Sequence, residues 1–64
     1  MSRARLIVVR ASLVRVGDVV ALPHASFKVR HIYSGGGRLT FITDRGFPVD
    51  IDPYGVLSVM RRVS

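Results

Sequence analysis

The chain has 64 residues, with ten basic against four acidic side chains, a formal net charge of +6 and 48% apolar residues. The apolar content excludes a disordered tail, and the absence of cysteine excludes disulfides and thiolate metal sites. The longest apolar runs, Leu6 to Val9 and Val19 to Leu22, are too short for a bilayer span or a secretory signal. One cytoplasmic domain with no membrane association is therefore expected. A chain this short buries only about 60% of the surface its unfolded state exposes, so the core is thin.

The apolar spacing reads as strands. Val, Ile, Phe, Tyr and Thr dominate, while Glu and Gln are absent and Lys28 is the single lysine, so exposed helix formers are nearly missing. The first predicted strand covers 5–10, followed by a short turn at Ala11 and Ser12. Gly17-Asp18 is a turn signal, and the second strand, 19–22, stops at Pro23. The third strand runs from Phe27 to about Tyr33. Strict alternation puts Ile32 on the wrong face, and a bulge near Arg30-His31 returns it to the core side. Ser34 to Gly37 reads as a flexible hairpin loop, and the fourth strand covers 38–43. Asp44-Arg45-Gly46 closes a tight hairpin, with Gly46 suited to positive φ. The fifth strand covers 47–51, with Pro48 where its missing N–H would point to solvent. Asp52 to Gly55 forms a turn, and the last strand covers 56–63. The expected core is Val20, Leu22, Phe27, Val29, Leu39, Phe41, Val49, Ile51 and Val59, and Phe47 is also expected to be buried. Short strands with Gly- and Pro-bearing turns predict an all-β fold, a small barrel of five to six strands whose closure removes exposed edges.

The order Gly17-Asp18-Val19-Val20, Phe27-Lys28-Val29, Ile32, Leu39-Thr40-Phe41, Gly46, Val49 and Val56 to Val59 resembles small SH3-like barrels, the group that includes KOW and Tudor modules. That resemblance covers about two thirds of the chain and implies an SH3-like barrel. The chain is also similar to small accessory proteins of actinobacterial phages and plasmids, through Leu13, Val16 to Val20 and Val49 to Pro53. This second likeness implies a mobile-element accessory factor. Arg15 to Val20 resembles the first strand of MazF-type toxin ribonucleases, but the helices and later loops of that family have no counterpart here.

No catalytic constellation emerges. Neither His24 nor His31 is tied by any signature to a nucleophile or carboxylate, so a loop His and a surface strand His are expected. Asp50 and Asp52 would share one strand face, but two carboxylates fall short of a hard-cation site. The chain is expected to be no enzyme, with no cofactor and no metal. Gly35 to Gly37 lacks the P-loop spacing, although Arg38 beside it is placed to hold a partner.

The basic residues group at Arg3, Arg5 and Arg10, at Lys28 and Arg30, and at Arg61 and Arg62. Nine of the ten basic residues are Arg, which reflects either GC-rich coding or phosphate recognition by bidentate guanidinium. If the first and last strands are neighbours, the terminal groups converge. Tyr33 and Tyr54 are the exposed aromatic platforms. The expected nucleic-acid contacts are thus Arg3, Arg5, Lys28, Arg30, Arg38, Arg61, Arg62, Tyr33 and Tyr54, binding DNA or RNA with low sequence preference. The alternative partner is a host protein, or a second copy joined through an exposed edge strand.

Overall fold

The computed structural model describes residues 3–63. Six antiparallel strands form one open sheet: β1 (Arg3–Arg10), β2 (Val19–Ala21), β3 (Ser26–Gly35), β4 (Arg38–Thr43), β5 (Pro48–Ile51) and β6 (Val56–Val63). A 3₁₀ turn, Ala11–Leu13, follows β1. The hydrogen-bonded order is β1-β6-β2-β3-β4-β5. The all-β class and the six strands are as expected. Closure is not seen among the described residues, because β1 and β5 remain edge strands. No helix among them is long and apolar enough to cross a membrane.

The ten-residue β3 serves both halves of the sheet. Its first part pairs with β2, Val19 opposite Lys28 and Val20 opposite Phe27. Its second part pairs with β4, from Val29 opposite Thr43 to Gly35 opposite Arg38. The register shifts between Val29 and His31. Arg30 is thus the bulged residue, and the bend it introduces lets the sheet fold over its own core. Ile32 returns to the inner face opposite Phe41, as the sequence predicts.

Two rows of side chains build the core. One runs across four strands as Ile7, Val59, Val20 and Phe27. The other runs as Ile32, Phe41 and Val49. Val20, Val29, Leu39, Phe41 and Val59 are buried, and Phe27 and Ile51 are half-buried against them. Ala11 and Val14 complete the core. The sequence hides them in a turn; the Ala11 N–H donates to the Gly55 carbonyl at 2.8 Å and draws this segment inward.

Four expectations are corrected. Leu22 is exposed, because β2 ends at Ala21 and the Leu22 N–H turns to the Ala25 carbonyl. Val49 is only half-buried, on edge strand β5. Phe47 is 64% exposed; β5 begins one residue later, leaving Phe47 at the hairpin end, where its backbone bonds Thr43. The predicted four-residue glycine loop is a two-residue turn between Gly35 and Arg38. Gly36 and Gly37 take φ of +59° and +73°, the backbone of a type I′ hairpin.

Gly46 holds φ +86° as predicted, with open space around its α-carbon. Pro48 lies opposite Ile42 on edge strand β5. Phe41→Ala should cost about 3–5 kcal/mol, enough to unfold most of so small a domain in a urea titration. An unshifted midpoint would contradict the core described above. Gly46→Val should destabilise by more than about 1 kcal/mol through backbone strain alone, read as a lowered melting temperature. Equal melting of variant and wild type would remove the strained-turn assignment.

Candidate phosphate-binding groove

Asp18 lies immediately before β2 and is only 4% exposed. The sequence marks it as a turn residue, and it is one. Its N–H donates to the Arg15 carbonyl at 3.0 Å, and its Oδ2 accepts from the Arg15 N–H at 2.9 Å. It also carries the one ion pair among the described residues. Arg61 on β6 donates from Nη2 to Oδ2 at 2.8 Å and from Nε to Oδ1 at 3.1 Å. The same Nη2 donates to the Leu13 carbonyl at 3.1 Å. Burial pushes the Asp18 carboxyl up, but the Arg61 hydrogen bonds, the Arg15 N–H and the nearby positive charge outweigh it and hold the group below its ordinary value. The Asp18 carboxylate in turn raises the Arg61 guanidinium, against a smaller opposing effect of burial.

Around this pair the fold gathers positive charge from separate stretches of chain. Arg15, Lys28, Arg61 and Arg62 line one groove of about 350 Å³, together with Val16, Gly17 and Asp18. Lys28 stands opposite Val19, and Val19 opposite Met60. Alternation then puts Arg62 on the same face as Lys28. Arg30 joins Lys28 in an adjoining hollow of about 340 Å³ that also includes Asp44. Strand three and the C-terminal basic pair therefore meet. Arg15 is an addition that sequence reading missed, because nothing local marks it.

The terminal strands do pair, with Arg5 opposite Arg61 and Arg3 opposite Val63. Arg3 and Arg5 consequently share the Arg61 face rather than the Arg62 face. Arg38 and Tyr54 lie elsewhere, in a hollow of about 410 Å³ beside the glycine hairpin. Tyr33 is exposed on β3, its ring 6.3 Å from that of His31. His24 is an exposed loop residue.

The two carboxylates weighed as cation ligands have local partners. Asp50 accepts from the Thr40 hydroxyl at 2.8 Å. Asp52 lies beyond the end of β5, not on a regular strand with Asp50, and accepts from the Tyr54 N–H at 2.9 Å. Among the described residues no three His, Cys, Asp or Glu side chains cluster as metal ligands.

Asp18→Asn should destabilise the fold by about 1–3 kcal/mol at neutral pH, because charged hydrogen bonds to a buried acceptor weaken. The folded carboxyl lies below its unfolded value of about 3.9, so the unfolded chain binds the proton first as pH falls. The stability gap between wild type and Asp18→Asn should be constant above about pH 5 and narrow below about pH 4. Thermal melts across that range would read it, and a gap independent of pH would contradict the assignment. No family model, curated protein or solved structure matches the chain.

Proposed function

We propose that this chain is a non-enzymatic basic binding module, a small SH3-like barrel in kind, that holds nucleic-acid phosphates with little sequence preference. The observation carrying this reading is the groove in which Arg15, Lys28 and Arg62 stand around an acid already neutralised by Arg61. Among the described residues Arg15, Lys28 and Arg62 have no carboxylate in an ion pair, so they give up little on meeting a phosphate, and guanidinium matches its geometry. Arg61 is a positioning residue in this reading, since its Nε and Nη2 donors are engaged by Asp18 and Leu13. Arg3, Arg5 and Arg30 extend the positive field around the groove. Arg38 and Tyr54 form a separate, weaker contact. The reading implies a cytoplasmic location and needs no cofactor.

A second reading draws on β1. It is an edge strand of eight residues, and Leu6 and Val8 are exposed on the face they share with Val56. Such a strand can extend the sheet of a host protein or of a second copy.

Fluorescence polarisation of labelled duplex and single-stranded oligonucleotides, at several salt concentrations, separates these readings. Affinity should fall steeply with salt for unrelated sequences. Lys28→Ala and Arg62→Ala should each lower the slope of log affinity against log salt by about 0.9 on duplex DNA and about 0.7 on single strands. No binding to any nucleic acid at ~50 mM salt, where electrostatic association is favoured, would overturn the proposal and leave the edge-strand reading.

A further inference from the structure

We infer that Phe47 is a stacking platform for an unpaired base, so that the nucleic acid bound is single-stranded. This rests on the phosphate-binding reading above and adds to it the class of strand.

Phe47 is 64% exposed, yet its backbone is firmly held. Its N–H donates to the Thr43 hydroxyl at 3.1 Å, and its carbonyl accepts from the Thr43 N–H at 2.9 Å. Thr43 is itself buried. The hairpin thus presents an aromatic ring to solvent from a fixed base. That ring lines a groove of about 430 Å³ with the half-buried Phe27 and with Lys28, Asp44 and Arg45. Two cations and two aromatic rings stand there against one acid. The Asp44 N–H donates to the Lys28 carbonyl at 2.9 Å, which ties the hairpin to the strand carrying Lys28.

Lys28 also lines the groove of Arg15 and Arg62. The phosphate-holding side chains and the exposed ring are therefore continuous through one residue. A strand whose backbone follows Arg62, Lys28 and Arg45 brings its bases alongside Phe47. Stacking on such a ring is indifferent to base identity, because every base has a π-face. A duplex keeps its bases stacked on one another and offers the ring none. Neither tyrosine has this setting. The Tyr54 hollow contains one cation, Arg38, and Tyr33 has His31 as its ring neighbour.

The chain contains no tryptophan, so Phe47→Trp introduces a sole indole reporter at the platform. It is titrated with oligothymidylate of about 10 nucleotides, within the usual site sizes, at ~50 mM salt. Polarisation of the labelled strand is followed in parallel. Indole fluorescence should be quenched in step with polarisation, and oligothymidylate should bind tighter than duplex of equal length. Phe47→Ala should weaken binding by roughly 5- to 150-fold with the salt slope unchanged, while Val8→Ala, on the exposed face of β1, changes affinity by less than about twofold. Polarisation without quenching, together with unchanged Phe47→Ala affinity, would overturn the stacking platform and leave the phosphate groove standing. No polarisation change with wild type on any nucleic acid would overturn both.

Discussion

A carboxylate taken out of water is expensive unless donors replace the solvent around it. Asp18 is the buried charge among the described residues, and donors from Arg15 and Arg61 meet it. One donor lies three positions away in the sequence, and the other 43. Satisfying both requires β6 to lie on β2 in one register, with Asp18 across from Arg61 in line with the Val19 to Met60 pairing. The link from Arg61 to the Leu13 carbonyl then holds the segment between the 3₁₀ turn and β2 against the end of β6. The same bonds settle the electrostatics of the surface. Arg61 is engaged within the fold, and the groove is left with Arg15, Lys28 and Arg62 as its outward cations.

The rest of the architecture serves a chain too short for a deep core. A single long strand, β3, crosses from one half of the sheet to the other, and the bulge at Arg30 marks the handover. The bend brings the Val20 and Val59 row over the Phe41 row, and the largest fully buried side chains are Phe41, Val20, Val29 and Val59. Each contributes on the order of 1.5–3 kcal/mol by area, so little stability is held in reserve. Positive charge on so small a body repels itself. An anionic partner relieves that repulsion, which is a physical reason to favour phosphate over a neutral surface.

Much of the fold was legible because its signals are local. Alternation locates the strands, and the misfit of Ile32 with strict alternation locates the bulge at Arg30. Glycine at the required positive φ locates the 43–47 hairpin. The failures share a different cause. Phe47 reads as core because it alternates with Val49 and Ile51, and one residue of difference in strand start turns it outward. Leu22 fails for the mirror reason, at the end of β2. Ala11 and Val14 are buried by a long-range bond to Gly55, which no local pattern encodes. The site was legible in composition and not in arrangement. The sequence shows a basic excess in three groups, but nothing local distinguishes Arg61, with its carboxylate partner, from Arg62, which lines the groove from the other face. Nor does any spacing show that Arg15 joins Lys28.

The central claim is that the molecule meets nucleic acid through the surface around Lys28, between the Asp18–Arg61 tie and the Phe47 hairpin. Amide chemical-shift mapping tests it most directly, with ¹⁵N-labelled protein titrated with an oligonucleotide at low salt. The account predicts shifts concentrated at Arg15 to Gly17, Lys28, Asp44 to Phe47 and Arg62, with Leu6, Val8 and Val56 unmoved. Shifts confined to Leu6, Val8 and Val56, or no shifts at saturating oligonucleotide, would contradict it.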